Sequence, residues 1–148
     1  MNTSELMLYN SMKMMVLAHS MREPIPQLRN SIGTLNYTKE YQTVRIAPGR
    51  QTGKSTLLLD MYEPGDIIIV KSLNQGKYLV EVKPEFKHKT LTMYSIAQLD
   101  PSKSDKLAGI DLTCNRLWVN DADCMHTHEL EMIYTRFAGH CNQIILLG

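Results

Sequence analysis

Residues 43–62, TVRIAPGRQTGKSTLLLDMY, decide the fold of this chain. The short β-branched segment at 43–47 predicts a strand, and the segment at 48–53, which contains proline and glycine, predicts a loop. Residues 54–62 contain a run of leucines without a helix breaker, which predicts a helix. A strand that passes through a short loop into a helix is the first half of a strand–helix–strand unit of a parallel sheet.

The same alternation continues along the rest of the sequence. Further strands are predicted at 66–70, 90–96, 116–119 and 143–147. Helical spacing predicts a helix at 127–137, whereas residues 73–83 fit a helix or a strand, because Gly76 weakens the helix and the apolar spacing suits both. Short strands that alternate with helices predict a three-layer α/β fold, in which helices cover both faces of a mostly parallel central sheet.

The first part of the chain, residues 1–40, is predicted to be helical. Ser4 is a candidate helix cap, and Pro24 and Pro26 are expected to end the helix, with residues 28–40 irregular or forming a short helix. The apolar residues at helical spacing are Leu6, Met7, Leu8, Met12, Met14, Met15, Val16, Leu17 and Met21. This pattern favours a helix that covers the core over an adaptable methionine-rich binding surface.

The composition bounds the size and class of the protein. With 148 residues, 43% of them hydrophobic and 21% charged, the chain fits one globular domain at 1–148. Its net charge of +1 does not point to a nucleic acid or a membrane. The three cysteines are odd in number and follow no secretory leader, so we expect reduced thiols and a cytoplasmic protein. No stretch approaches the ~18 apolar residues of a membrane-spanning helix, so we expect no membrane partner.

The loop GRQTGKST has the composition of a phosphate-binding loop. Gly53 lets the backbone approach a phosphate, and successive N–H groups at the start of the next helix form an anion-binding nest. Lys54 is suited to neutralise the terminal phosphates, and the Ser55 hydroxyl to bind Mg²⁺. The sequence therefore predicts that ATP and Mg²⁺ bind to a nucleotide-binding core at 41–148. Its cofactor-binding residues are Gly49, Arg50, Gln51, Thr52, Gly53, Lys54, Ser55 and Thr56.

The loop departs from the pattern G-x-x-x-x-G-K-[ST] at one position. Pro48 stands where the first glycine belongs, and a turn built on Pro48 and Gly49 is expected to replace that glycine. A chance GKS tripeptide is the alternative, which the preceding strand and the following leucines disfavour. No guanine-specific N-K-x-D pattern occurs, and the sequence leaves the choice between ATP and GTP open.

The segment RQTGKST resembles the variant phosphate loop of phage terminase large subunits, R-Q-x-G-K-[ST], which have cores related to those of superfamily 1 and 2 helicases. The resemblance spans roughly residues 40–148. It implies a P-loop NTPase of viral DNA packaging in the host cytoplasm, which works with DNA, with a protein partner or as a homo-oligomer. It also implies that Lys54, Asp121 and Arg50 are catalytic, with Arg50 acting in cis on the γ-phosphate.

The segment LWVNDA resembles the apolar strand of those ATPases that ends in D-E-A. In that family the first carboxylate supports Mg²⁺ and the second polarises the attacking water, whereas here Asn120 takes the first position and Asp121 the second. Two assignments stay open. In one, Asn120 gives Mg²⁺ an uncharged oxygen and Asp121 polarises the water. In the other, Asp121 joins Ser55 on Mg²⁺, and the base is Asp123 or Glu129.

A weaker resemblance covers the helix at 127–137 and residues 141–148, which are similar to the helix and strand that follow the acidic motif in those cores. The sequence has no room for a nuclease domain or a second motor domain. Two functions stay open: a minimal ATPase core, or a hydrolysis-deficient nucleotide-binding module that acts through protein–protein interaction, which Asn120 and the short chain favour. A small nucleotide kinase is disfavoured, because no lid or acceptor site is evident.

Two other groups of side chains have a chemical alternative to a structural role. Zinc-ligand types occur in a C-x-H-x-H pattern and shortly after it, at Cys124, His126, His128, His140 and Cys141. That spacing fits no familiar zinc site, so surface histidines and core thiols are favoured, and a Cys–His nucleophile has no evident oxyanion hole. Tyr37 and Tyr41 are suited to stack on a base, but core packing is favoured.

Overall fold

Five parallel strands run through the centre of the molecule, in the order β1-β5-β4-β2-β3. The computed structural model describes residues 2–47, 49, 53–82 and 90–148. The strands are β1 (Thr43–Ile46), β2 (Ile67–Val70), β3 (Met93–Ser95), β4 (Cys114–Val119) and β5 (Cys141–Leu147). The prediction of an α/β fold with a parallel sheet is confirmed for this part of the chain.

Helices connect the strands. They are α1 (Thr3–Ser20), α2 (Pro26–Ile32), α3 (Thr34–Glu40), α4 (Lys54–Met61), α5 (Leu73–Val82), α6 (Ile96–Leu99) and α7 (Thr127–Phe137). A 3₁₀ turn at Ala122–Cys124 follows β4. Within the described ranges, none of these helices combines the length and the apolar character needed to cross a bilayer.

The sheet separates two hydrophobic cores. Successive strand residues point to opposite faces, so Ile67 and Ile69 of β2 pack on the side of α6 and α7, together with Phe137. Ile68 and Val70 pack on the other side, with the buried residues of α1, α4 and α5. Because both faces of β2 are covered, its four residues are all buried, as the apolar run in the sequence predicts.

The ambiguous segment at 73–83 contains a helix, α5, which ends at Val82. A side chain at Gly76 would collide with the sulfur of Met93 in β3. The glycine that lowers the local helix propensity therefore lets α5 approach the sheet closely, and packing outweighs the propensity. The helix predicted at 54–62 is also present, as α4, and begins at Lys54.

One detail of the N-terminal prediction is wrong, the cap of α1, whereas α1 does end before Pro24. The cap of α1 is Asn2 rather than Ser4, because the side chain of Asn2 accepts a hydrogen bond from the N–H of Glu5 while the Glu5 carboxylate accepts one from Asn2. Pro26 begins α2, since proline fits the first helical position, where its missing N–H costs nothing. Residues 28–40 are mostly helical, within α2 and α3.

Helix α1 packs on the core with fewer of its methionines than the sequence suggests. Its buried residues are Tyr9, Met12 and Val16. The large apolar side chains that are exposed instead are Leu6, Met7, Met14, Met15 and Met21. The helix covers the core as predicted, but it also carries a second apolar face that points away from the core.

Candidate functional site

Strands β1 and β4, which precede the predicted phosphate loop and the predicted acidic motif, end at the same edge of the sheet. Ile46 at the end of β1 pairs with Leu147 of β5, and Val119 at the end of β4 pairs with Leu146. Only β5 separates β1 from β4, so their carboxyl ends are roughly 10 Å apart. The N–H of Asn120 donates to the carbonyl oxygen of Ile69 at 2.9 Å, which joins the end of β4 to β2.

The chain leaves β2 and β4 towards opposite faces of the sheet. Helix α5 follows β2 and packs in the same core as α1 and α4, whereas α7 follows β4 and packs in the other core. Since β2 and β4 are neighbours, a crevice opens between their carboxyl ends. In open parallel sheets, ligands bind in such crevices.

The beginning of α4 lacks the usual hydrogen-bond acceptors. Gly53 occupies the cap position in a left-handed conformation (φ 82°, ψ 19°) and has no side chain to accept a hydrogen bond. Its carbonyl oxygen accepts from the N–H of Leu57 at 2.8 Å. The first turn contains no acidic residue, and in the described part of the chain the N–H groups of Lys54, Ser55 and Thr56 have no acceptor. Within the described residues, these three donors therefore have the arrangement that binds an anion at the start of a helix.

The charge of Lys54 is also unusual for its position. A cation in the first turn of a helix is disfavoured by the positive end of the helix dipole. Lys54 is partly buried, and no carboxylate among the described residues lies within ion-pair distance of it. Positive charge thus accumulates at one point without a neutralising group in the described chain, which is the electrostatic environment that binds phosphate.

A cleft of about 270 Å³ lies beside the start of α4. The residues that line it are Ser55, Gln75, Tyr78, Leu79, Asn120 and Asp121. The structure therefore brings together Ser55 and Asp121, the two residues predicted to hold Mg²⁺, although they are far apart in sequence. Gln75 and Tyr78 were not predicted as site residues, because only the helical geometry of α5 places positions i and i+3 on the same face.

Asp121 has a strained backbone. Its φ of 52° and ψ of 46° lie in the left-handed region, and no other residue with a side chain has positive φ in the described ranges. Asn120 is buried, and its side-chain amide donates to the Asp121 carboxylate at 3.4 Å. Left-handed strain at a non-glycine residue occurs preferentially at functional sites, and here it orients the turn that leads from β4 into the 3₁₀ turn.

Glu129, one of the two candidate bases, is held by other groups. Its carboxylate forms an ion pair with Lys71, the residue directly after β2, and accepts the N–H of His126 at 2.9 Å. Burial alone would raise the pKa of Glu129, but the hydrogen bonds from Lys71 and His126 and the charge of Lys71 lower it overall. A carboxylate with a lowered pKa is a weak base. Asp123, the other candidate, is exposed.

Part of the predicted phosphate loop lies outside the described residues. These positions are Pro48, Arg50, Gln51 and Thr52. Gly49 is described and has a φ of 103°, which agrees with a turn at this point. The predicted cis-acting role of Arg50 and the contacts of Gln51 and Thr52 stay predictions.

The other predicted groups do not join this cleft. Tyr37 and Tyr41 stack on each other, with ring centroids 5.1 Å apart, near the amino end of β1 and therefore at the opposite edge of the sheet. Tyr37 is buried, as core packing predicts. Among the residues that the structure describes, no three or more Cys, His, Asp or Glu side chains are arranged to hold a metal ion. A hydrogen bond with Cys141, together with burial, raises the pKa of Cys114.

Comparison with known proteins found no match among protein-family models, curated proteins or solved structures. The fold and the site alone define the class: an α/β protein with a parallel sheet and a candidate anion-binding cleft at the carboxyl edge of that sheet.

Proposed function

We propose that this protein is a P-loop NTPase-like module that binds ATP with Mg²⁺ at the carboxyl edge of its sheet. The observation that carries the proposal is the start of α4. Three backbone N–H donors and the ammonium group of Lys54 lie there without an acceptor or counter-charge in the described chain, next to a cleft that contains a carboxylate. Together these groups match a chelated Mg²⁺–triphosphate, which presents oxygen acceptors and a metal ion to the same surface.

The described residues have roles that their positions support. The N–H groups after Gly53 and the Lys54 ammonium bind the terminal phosphates, and the roles of Gly49, Arg50, Gln51 and Thr52 stay those that the sequence predicts. The Ser55 hydroxyl and the Asp121 carboxylate line the same cleft and hold Mg²⁺, directly or through water.

The arrangement supports nucleotide binding more strongly than rapid hydrolysis. Asp121 is the one carboxylate that lines the cleft in the described chain, since Asn120 is uncharged and Glu129 is paired with Lys71. If Asp121 holds Mg²⁺, no second described carboxylate lines the cleft to polarise water. We therefore propose that turnover by the protein alone is slow and depends on a partner or on further copies of the chain. The resemblance to terminases and helicases makes DNA the first partner to test.

The second candidate function is a hydrolysis-deficient module that acts through protein–protein interaction, and Asn120 is the observation that favours it. The two candidates are separated by one set of measurements on the purified protein: binding of a fluorescent ATP analogue with and without Mg²⁺, and ATP hydrolysis with and without DNA. Turnover supports the ATPase, and binding without turnover supports the second candidate.

The test of the site itself compares two variants. We expect Lys54→Ala to weaken ATP binding by at least about 10-fold, because it removes a charge-assisted hydrogen bond to phosphate. Lys106→Ala removes an exposed lysine from a loop outside the cleft and serves as the matched control. The proposal fails if the native protein does not bind ATP, or if the two variants bind it equally well.

A further inference from the structure

Helix α1 carries an exposed stripe of methionines and small uncharged residues on the side that faces away from the core. Its members are Ser4, Met7, Ser11, Met14, Ala18 and Met21, which we call the α1 stripe. All six are exposed, and the three methionines retain 66%, 62% and 79% of their accessible surface. Single exposed apolar residues are normal on a protein surface, but here three exposed methionines recur every seven residues on one uncharged helix face, with small residues between them, and such a face is a candidate interaction surface.

The spacing of the α1 stripe is that of a helix–helix seam. Successive members are three, four, three, four and three residues apart, which is the a/d pattern of a heptad repeat. No member is charged, so two such surfaces can approach without burying a charge. The stripe is helical along its whole length, because the capping box at Asn2 fixes its first turn and Met21 keeps right-handed helical dihedrals (φ −85°, ψ 0°).

Large and small residues alternate along the α1 stripe in a way that is complementary to a second copy of itself. In an antiparallel pair of these helices, residues whose numbers add up to 25 face each other. Each methionine then faces a small residue: Met7 faces Ala18, Met14 faces Ser11, and Met21 faces Ser4. In a parallel pair in register, Met14 would face Met14, which leaves gaps beside the small residues. Alternation of large and small side chains across an interface gives dense packing.

Burial of the polar members of the stripe at such an interface is not costly. The hydroxyl of Ser11, at the centre, donates to the carbonyl oxygen of Met7 in its own helix at 2.9 Å. A hydroxyl that is already hydrogen-bonded loses little when water is removed. Ser4 lies at the end of the stripe, where its hydroxyl stays accessible to water.

We propose that the α1 stripe pairs with the α1 stripe of a second copy of this chain, in an antiparallel, two-fold symmetric arrangement centred between Met12 and Lys13. A two-fold interface requires that one surface be complementary to itself, and the alternation about this centre meets the requirement. The seam is only one helix long, so we expect a dimer whose population depends on the protein concentration. This inference does not depend on nucleotide binding.

The experiment is sedimentation equilibrium over a range of concentrations with the full chain. The native protein is expected to be a dimer at the upper end of the range. Met14→Glu places a charge in each central contact and lowers the association constant by at least about 30-fold. Lys13→Glu, at an exposed position on the same helix but outside the stripe, is the matched control and leaves association unchanged within about 3-fold. Far-UV circular dichroism checks that each variant remains folded.

A mixing experiment tests the register. In the antiparallel pair, Lys at position 11 of one copy faces Glu at position 14 of the other. Ser11→Lys therefore binds Met14→Glu at least about 10-fold more tightly than the native chain binds Met14→Glu. A native protein that stays monomeric at several hundred micromolar overturns the proposal and leaves another protein as the occupant of the stripe. A dimer that Met14→Glu leaves intact also overturns the proposal. The same holds if Met14→Lys binds the Met14→Glu chain more tightly than Ser11→Lys does.

Discussion

Lys71, directly after β2, forms an ion pair with Glu129 in the first turn of α7. The contact connects two of the segments that meet at the carboxyl edge of the sheet, and it places the Glu129 carboxylate at the start of a helix, where a negative charge is favoured. Glu129 is one of the two catalytic bases expected from the sequence, whereas its partner Lys71 carries no signal in the sequence. The structure gives the pair a structural role at the rim of the candidate site.

The pair has a pH dependence whose direction follows from the lowered pKa of Glu129. The ordinary value is 4.5, and the folded protein holds it lower. The stabilisation by the Lys71–Glu129 pair is therefore complete above the pKa of Glu129 in the unfolded chain. It is lost as the pH falls from about 4.5 through the lower pKa of the folded state. We expect Glu129→Gln to lower the free energy of unfolding by about 1–2 kcal/mol at neutral pH, between the values for exposed and buried pairs.

The measurement is urea unfolding of the native protein and of Glu129→Gln between neutral and acid pH. The difference between the two is expected to shrink below about pH 4.5, where protonation makes the native side chain resemble that of the variant. Glu131→Gln is the control, because Glu131 also pairs with a lysine, Lys39, but lies on the exposed face of α7. A difference that persists unchanged at acid pH would contradict the assigned role.

Asp66, the buried residue before β2, is expected to be a stability determinant. Its carboxylate accepts the indole N–H of Trp118 at 3.2 Å and the backbone N–H groups of Arg116 and Glu63 at 3.1 Å each. Asp66→Ala leaves these donors without an acceptor and lowers the free energy of unfolding by about 2–4 kcal/mol. Trp118 is the single tryptophan and is fully buried, so its fluorescence reports unfolding directly. Glu63→Ala, exposed and close by, changes stability by less than about 0.5 kcal/mol.

The strands, and the helix that follows the predicted phosphate loop, were predictable because the sequence patterns that indicate them are local. The run at 66–70 is long enough and apolar enough to be a strand that is buried on both sides, and β2 occupies most of it. Residues 54–62 contain α4, which begins at the predicted residue. The positions of Ser55 and Asp121 follow from the same local signals, because Ser55 lies in the first turn of the helix that follows β1, and Asp121 lies two residues after β4.

The features that the sequence did not predict depend on contacts between distant segments. Helix α5 was ambiguous because the reason for Gly76, its close approach to Met93, is invisible without the sheet order. Gln75 and Tyr78 could not be placed at the cleft while α5 was undecided. The exposure of the methionines of α1 depends on which face of the helix meets the core, and Met residues occur on both faces.

A comparison of alanine variants at Gly53 and Gly65 separates the effect of backbone strain on stability from an effect on nucleotide binding. A side chain in its left-handed conformation costs about 1 kcal/mol, so Gly53→Ala and Gly65→Ala, which also has positive φ (96°), are expected to lower stability similarly. Only Gly53→Ala places a methyl group at the proposed phosphate site, and we expect it alone to weaken ATP binding, by at least about 10-fold. Thermal melts and nucleotide titrations measure the two effects. Equal nucleotide affinities for both variants would count against a phosphate site at α4.

Charge at the end of β4 is expected to control the Mg²⁺ dependence of binding. Asp121→Asn removes the carboxylate that we propose as a Mg²⁺ ligand, and we expect it to weaken Mg²⁺-dependent ATP binding by about 10-fold or more. Asn120→Asp adds a carboxylate next to Asp121, so we expect tighter Mg²⁺ binding together with lower stability of the metal-free protein. Titrations of Mg²⁺ at constant ATP measure the first effect. Asp123→Asn, at an exposed position, is the control, and a Mg²⁺ dependence that all three variants share would exclude Asp121 as a ligand.

The most direct test of nucleotide binding at α4 is an NMR titration of the ¹⁵N-labelled protein with Mg²⁺–ATP. We expect the largest changes in amide chemical shift at Lys54, Ser55 and Thr56, whose N–H groups have no acceptor in the described chain, and we expect Lys54→Ala to weaken the response. If these amides do not respond to millimolar Mg²⁺–ATP, or if the shifts cluster instead around Tyr41 at the opposite edge of the sheet, the proposed function is wrong.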